Sequence, residues 1–324
     1  MSAPTVVSTF AGCGGSSLGY KQAGYACRLA VEWDKRAAES YRRNFPATPI
    51  FEGDIATLSA DQALDLAGLE PGELDVFDGS PPCQGFSMTG KRRSDDPRSQ
   101  LYLEYLRLLE AFRPKALVME NVAGLVKGKM LATIFPRIMS GLRDAGYRVA
   151  CRLLDAKFFG VPQSRQRVIF VGVRHDVGIE PSHPRAEQPP IPVRVALRDA
   201  QPLTLGPGLS DLERLIWATT NPGETGGDTT WARGRFWDAR KLDPRKPSWT
   251  VKASTRGALM HWAECRRLSI EECKVLMGFP VDYELAGDFA AQWKQLGNGV
   301  PPGLMRAVAA HVRETVLEPM AVSA

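Results

Sequence analysis

Cysteine is scarce in this chain of 324 residues: there are six (Cys13, Cys27, Cys83, Cys151, Cys265 and Cys273), and no two stand as a CxxC pair. That argues against a disulfide framework and a structural zinc site, so reduced thiols and no metal are expected. Long apolar runs are missing too. Nothing approaches the roughly 18 residues of a membrane span, and Met1–Phe10 has no basic stretch ahead of its apolar residues. Neither membrane insertion nor secretion is expected, and the chain reads as cytoplasmic. No Gly-Lys-Ser or Gly-Lys-Thr is present, hence no triphosphate loop, and no second glycine-rich turn would suit a pyrophosphate. A large charge excess is also absent. Lysine and arginine number 41 against 36 acidic residues, and the net charge of +5 permits a polyanionic partner without requiring one.

What is present is ordinary globular composition, 44% hydrophobic and 24% charged, with enough length for one large domain or two smaller ones. From Thr5 to about Val173, short apolar runs alternate with amphipathic stretches, the pattern of parallel strands joined by helical crossovers. Strands are expected near Thr5–Phe10, Arg28–Glu32, Leu74–Gly79, Ala116–Glu120, Arg148–Leu154 and Val168–Gly172, with a further short unit at Phe51–Ile55. Leu101, Tyr105, Leu108, Leu109 and Phe112 recur at near-helical spacing and predict a helix over Leu101–Phe112. Other helices are expected at Ser16–Ala23, at Leu268–Met277, where Ser269 and Glu272 suit a capping box, and at Pro301–Leu317.

After His175 the texture changes. Pro181, Pro184, Pro189, Pro190 and Pro192 precede Gly206, Gly208, Gly223, Gly226 and Gly227 with no sustained period, as in a linker leading to a loop-rich insert. Five of the seven tryptophans lie there, and Thr229–Arg267 holds ten basic residues against three acidic ones. Basic residues neutralise phosphates and aromatic rings stack on bases, so the segment suits a nucleic acid. A small domain with a tryptophan core and solvated arginines has the same composition.

Phe10-Ala11-Gly12-Cys13-Gly14-Gly15 follows an expected strand and precedes an expected helix, as a nucleoside-binding turn does; an ordinary tight connection has the same pattern. Glu32 ends the second strand, where a carboxylate accepts from ribose hydroxyls. Trp33 offers a flat face for adenine, or a half-buried packing residue, and Asp54 offers an acceptor for an exocyclic amine. An adenosine cofactor without phosphates fits best.

The fourth strand runs into Ser80-Pro-Pro-Cys83-Gln84-Gly85-Phe86-Ser87, placing a cysteine at the carboxyl edge of the sheet behind two stiffening prolines. Cys83 is read as reactive and the other cysteines as small buried hydrophobes. The next strand brings Glu120 to the same edge. Arg165 and Arg167, two apart in an extended segment, point the same way. Taken singly, Glu120 also fits a structural ion pair and the arginines surface charges.

Together, Phe10-Ala-Gly-Cys-Gly-Gly15, Asp78-Gly-Ser-Pro-Pro-Cys-Gln84, Glu120-Asn-Val122, Gln163-Ser-Arg-Gln-Arg167 and Gly297-Asn-Gly-Val300, in this order and at this spacing, resemble the cytosine-C5 DNA methyltransferase family, of the bacterial or phage single-chain type. The resemblance covers about Val6–Val173 and Arg266–Val312. It implies an α/β fold, a Rossmann-like S-adenosylmethionine-dependent methyltransferase sheet with helices on both faces, plus a smaller loop-rich target-recognition domain. The catalytic, cofactor-binding domain is expected at 1–175 and 286–324, and the target-recognition domain at 176–285.

The resemblance further implies that Cys83 adds to C6 of cytosine, making C5 nucleophilic, while Glu120 hydrogen-bonds N3 and the exocyclic amine. It places Arg165 near the cytosine O2 and the thiol, where positive charge favours thiolate, with Arg167 as an orienter. The implied methyl donor is S-adenosylmethionine. Its expected contacts are Phe10 and Trp33 (adenine faces), Glu32 (ribose), Asp54 and Ile55 (adenine edge), Ala11, Gly12, Gly14 and Gly15 (close backbone), and Pro82, Leu101, Asn298 and Val300. A stacked cytosine hides both faces, so the target must be extruded from double-stranded DNA. Gln84, Ser87 and Lys91-Arg92-Arg93 fall in or beside the segment resembling the family's closing loop, and Arg233 and Arg256 are the expected guanine readers. One departure is Ser269-Ile-Glu-Glu272 where the family commonly has Pro-Arg-Glu, which puts in doubt the role carried over for the arginine before it. A monomer with a companion restriction endonuclease is expected. A transfer-RNA cytosine-C5 methyltransferase and a DNA transferase using a modified sulfonium donor share these motifs; a non-catalytic DNA-binding regulator would have no need of Cys83.

Overall fold

The computed structural model describes residues 3–82, 101–186, 188–255 and 259–323. The chain forms two compact units. Unit 1 comprises Met1–Leu154, Gln166–Arg185 and Met305–Ala324, and unit 2 comprises Asp155–Arg165 and Ala186–Leu304.

Along unit 1 the chain runs β1 (Thr5–Thr9), α1 (Gly15–Gln22), β2 (Ala26–Glu32), α2 (Lys35–Asn44), β3 (Ile50–Glu52), α3 (Ala60–Ala67), β4 (Val76–Gly79), α4 (Leu101–Phe112), β5 (Ala116–Val122), α5 (Gly128–Thr133), α6 (Phe135–Asp144), β6 (Tyr147–Asp155) and β7 (Gln166–Arg174). The seven strands form one sheet in the order β3-β2-β1-β4-β5-β7-β6. The pairs β1–β2, β1–β4, β2–β3 and β4–β5 are parallel. β7 runs antiparallel to β5, with Glu120 opposite Ile169 and Val122 opposite Arg167. The sheet is therefore mixed, which corrects the expectation of parallel strands throughout. An apolar run carries no direction, and no α-helix crosses over between β6 and β7 as a parallel return would need.

β4, β5 and β7 are buried almost end to end. Successive side chains point to opposite faces, so both faces are covered. On one face, Val7, Val31, Phe77, Leu117, Met119 and Phe170 pack with residues of α3, α4 and α6. The apolar stripe expected for Leu101–Phe112 is that contact: Tyr105, Leu108, Leu109 and Phe112 are wholly buried. On the other face, Ser8 and Asp78 meet Ser16 of α1.

Unit 2 has little regular structure. It contains α7 (Val193–Ala196), α8 (Asp211–Thr219), β8 (Arg240–Lys241), β9 (Leu259–Met260), α9 (Ile270–Met277) and α10 (Phe289–Asn298). Leu209, Ile216, Ala239 and Met260 form a small core with Trp217 against it. The Lys241 amine lies 4.0 Å over the Trp217 ring and donates to the carbonyls of Trp217 and Thr220 at 2.9 and 3.1 Å, closing the end of α8. The expected capping box is formed at α9: Ser269 accepts from the Glu272 amide, and Glu272 accepts from the Ser269 amide. The chain then returns through α11 (Pro302–Val312) and ends in α12 (Glu318–Ser323). Val308, Ala309 and Val312 are wholly buried, and the Tyr25 hydroxyl donates to the Ala309 carbonyl at 3.0 Å within unit 1. No described helix is long and apolar enough to cross a membrane.

Candidate active site

The glycine-rich turn lies at the carboxyl ends of β1 and β2. Phe10, Gly12 and Gly14 have φ of 54°, 57° and 94°, and left-handed backbone at a bulky phenylalanine costs on the order of 1–3 kcal/mol. The turn is fixed by its neighbour strand: the Ala11 amide donates to the Val31 carbonyl at 3.0 Å and the Gly12 amide to Glu32 Oε2 at 2.7 Å. Glu32 Oε1 accepts from the Asp34 amide at 2.8 Å. Burial holds the Glu32 carboxyl above the usual range, with these amide bonds opposing the shift. A carboxylate offers about four acceptor positions, and with the Gly12, Asp34 and Trp33 amides engaged about one remains for a hydroxyl.

A Cβ placed on Gly12 would project into open space, and Trp33 beside Glu32 is 71% exposed. Ala11 is buried, and Gly15 opens α1. After β3, Asp54 accepts from the Ala56 amide at 3.0 Å, while Arg107 donates to the Ile55 carbonyl at 3.0 Å. Half-buried Leu101 begins α4. Of the remaining expected cofactor residues, Asn298 and Val300 belong to unit 2, where Asn298 is exposed and Val300 buried.

Cys83, Gln84 and Ser87 lie outside the described residues, but the stem of their segment is well fixed. Asn121 Nδ2 donates to the Pro81 carbonyl at 3.0 Å, and Asn121 Oδ1 accepts from the Val122 amide at 2.9 Å. The chain two residues before Cys83 is thus tied to β5 next to Glu120. Gly79, at the end of β4, allows no side chain: a Cβ would fall 2.3 Å from Thr9 Oγ1 and 2.8 Å from the Tyr105 ring. Buried Glu120 is paired through Oε1 with Arg167 Nε at 2.6 Å. Burial pushes the Cys13 thiol up to about 12 and those of Cys27 and Cys151 to about 11, and it also raises Cys273. None of these four is a ready thiolate.

The two expected arginines part company. Arg167 touches Glu120, whereas Arg165 is 1% exposed and holds backbone inside unit 2. It donates to the carbonyls of Val251, Gly297 and Gly299 at 2.9, 2.7 and 2.9 Å. Asp155 accepts from the Arg165 amide and the Ser164 hydroxyl, and Gln163 donates to the Leu276 carbonyl. A Cβ on Gly297 would fall 2.3 Å from the Ala253 nitrogen. Within unit 2, the segment Gln163–Arg165 and the turn Gly297–Gly299 therefore interlock. Sequence reasoning missed this role, as it missed Asn121 and Asp155; the signal available was that these polar residues sit within or beside the motif itself.

In the insert, the structure separates internal charges from surface ones. Lys241 is buried, Arg266 pairs with Glu264 and Glu272, and Arg267 with Glu213. Arg245 and Lys246 pair with Asp243, and Lys252 with Asp238. Arg233, Arg235 and Arg240 have no carboxylate partner among the described residues; Arg256 lies outside them. Trp231, Phe236 and Trp237 are exposed on the same turn, which has left-handed backbone at Arg233, Gly234 and Phe236. Trp237 covers Gly227, whose Cβ would fall 2.5 Å from its ring.

The family model for C-5 cytosine-specific DNA methylases matches residues 5–221 and 220–314. The type II methyltransferase M1.HphI of Haemophilus parahaemolyticus is 35% identical over 330 residues, covering 94% of this chain and 85% of the relative. The type II methyltransferase M.DdeI of Desulfomicrobium norvegicum is 29% identical over 371 residues, covering 95% and 88%. In fold, the chain resembles a solved structure described as a DNA modification methyltransferase encoded within an Escherichia coli prophage, with a TM-score of 0.81, 22% identity and coverage of 97% and 100%. A mutant of Spodoptera frugiperda DNMT2 gives a TM-score of 0.71 at 18% identity, covering 97% and 100%. With a family model matched over most of the sequence and a relative 35% identical across nearly its whole length, the chain belongs to the C-5 cytosine-specific DNA methylases.

Proposed function

We propose that the chain methylates C5 of a cytosine extruded from a specific duplex sequence, through a transient bond between Cys83 and C6. The observation that carries this reading is the Glu120–Arg167 pair on the strand where Asn121 holds the stem of the Cys83 segment. The Cys83 thiolate adds to C6 and Glu120 hydrogen-bonds N3 and the exocyclic amine, so electrons pushed into the ring are accepted and C5 becomes nucleophilic. Arg167 orients Glu120. Arg165 fixes Gly297–Gly299 and is expected near the cytosine O2 and the thiol. Loss of the C5 proton and elimination of the thiolate regenerate the enzyme.

The donor set of the turn fits S-adenosylmethionine: open space over Gly12, the remaining acceptor on Glu32 and the exposed face of Trp33 suit an adenosine without phosphates. That cofactor supplies the methyl group. Phe10, Asp54, Ile55 and Leu101 are among its further expected contacts, as are Asn298 and Val300. Unit 2 reads the target, chiefly through the turn Trp231–Trp237 with Arg233 and Arg235; Arg256, Gln84 and Ser87 are further expected DNA contacts. The enzyme works in the cytoplasm as a monomer, protecting DNA from a companion endonuclease.

The test is nucleoside mass spectrometry of unmethylated duplex DNA incubated with the protein and S-adenosylmethionine, with Cys83→Ala as control. The expected result is a 5-methylcytosine peak that disappears in the variant while DNA binding persists. Product from Cys83→Ala removes the covalent step, modification of RNA alone moves the substrate, and a cytosine mass other than methyl changes the donor.

A further inference from the structure

A buried carboxylate with no role in the chemistry above lies at the root of the Cys83 strand. Asp78 of β4 is 1% exposed and stands opposite Ser8 of β1 in the parallel register. Its Oδ2 accepts from the Ser8 hydroxyl at 2.9 Å and from the Ser16 hydroxyl, in the first turn of α1, at 2.6 Å. Its carbonyl accepts from the Thr9 hydroxyl at 3.1 Å. The buried Tyr20 hydroxyl also faces the Asp78 carboxyl as a hydrogen-bonding neighbour. Among the described residues, the titratable groups that interact with it are Tyr20 from α1, Cys27 from β2, Tyr105 from α4 and Glu120 from β5.

The turn Phe10–Gly15 is thus anchored by two carboxylates. Glu32 holds the Gly12 amide, and Asp78 holds Ser16 just past the turn while itself sitting five residues before Cys83. We propose that Asp78 is a positioning residue that clips the cofactor turn to the strand carrying the nucleophile. Its hydrogen bonds to the two serines are charge-assisted only when it is ionised. Burial raises this carboxyl to about 7, so the clip tightens and slackens within the neutral range.

This inference rests on the reading of Phe10–Gly15 as the cofactor turn. The test is calorimetric binding of S-adenosylhomocysteine to the full chain between about pH 6 and about pH 8.5, comparing wild type, Asp78→Asn and Ser16→Ala. Wild type should bind about fivefold more tightly at the alkaline end. Asp78→Asn should lose that gain. Ser16→Ala keeps the buried carboxylate; it should weaken binding at about pH 8 and match wild type at about pH 6. Unchanged pH dependence in Asp78→Asn overturns the role of Asp78 alone, whereas no binding by wild type overturns the cofactor reading as well.

Discussion

Two buried acids set opposite demands on this protein. Asp78 ionises near neutrality because burial opposes its charge, so its folded-state value lies above the ordinary 3.8. An acid shifted upward contributes stability below its unfolded value and loses it as pH rises through the folded value. Asp78→Asn should therefore melt a few degrees higher than wild type at about pH 8, with the gap closing towards about pH 5, as read by calorimetric melting. Glu120, by contrast, has a built-in partner. Arg167→Ala removes it and should lower kcat by about 100-fold to 1,000-fold while leaving S-adenosylhomocysteine affinity near wild type. An unchanged kcat would take Arg167 out of the orienting role. The place of Glu120 at the end of its strand and the glycine-rich turn after β1 were legible because groups at the end of a strand leave a compact signature in sequence. The division of labour between Arg165 and Arg167 was not legible, since two residues apart in an extended segment says only that they face alike; which carbonyls surround each is decided by distant chain.

At the scale of elements, the expected helix over Leu101–Phe112 coincides with α4, and Ser269 with Glu272 makes the capping box at α9. Such features are local, written in spacing and end residues. The antiparallel course of β7 and the knot around Gly297 depend on partners far along the chain and left no periodic trace. Gly297→Ala should be severe for that reason: its Cβ would meet the backbone of Lys252 and Ala253, which cannot swing aside as a side chain can. A loss at or above the usual ~1–3 kcal/mol of overpacking is expected in urea unfolding. Asn121→Ala should fold near normally yet slow transfer, because it frees the Pro81 carbonyl from β5. A rate equal to wild type would show that the stem needs no such tie.

For the whole molecule, the modest net charge of +5 conceals a sorted surface, since half of the ten basic residues in Thr229–Arg267 are paired with carboxylates. Replacing Arg233 and Arg235 together with alanine should weaken DNA binding and reduce the slope of log Kd against log salt by about two. A slope equal to wild type would move the phosphate contacts elsewhere. The order of the chain also has a cost during synthesis. Unit 1 begins with the first strand but is closed by Val308, Ala309 and Val312, after 119 intervening residues of unit 2 from Ala186 to Leu304 have been made. At about 5–20 residues per second, the ribosome needs on the order of ten seconds to supply them. Throughout that interval unit 1 lacks the wholly buried apolar residues of α11 and the Ala309 partner of Tyr25, so expression yield should depend on chaperones and translation speed more than the stability of the finished enzyme would suggest.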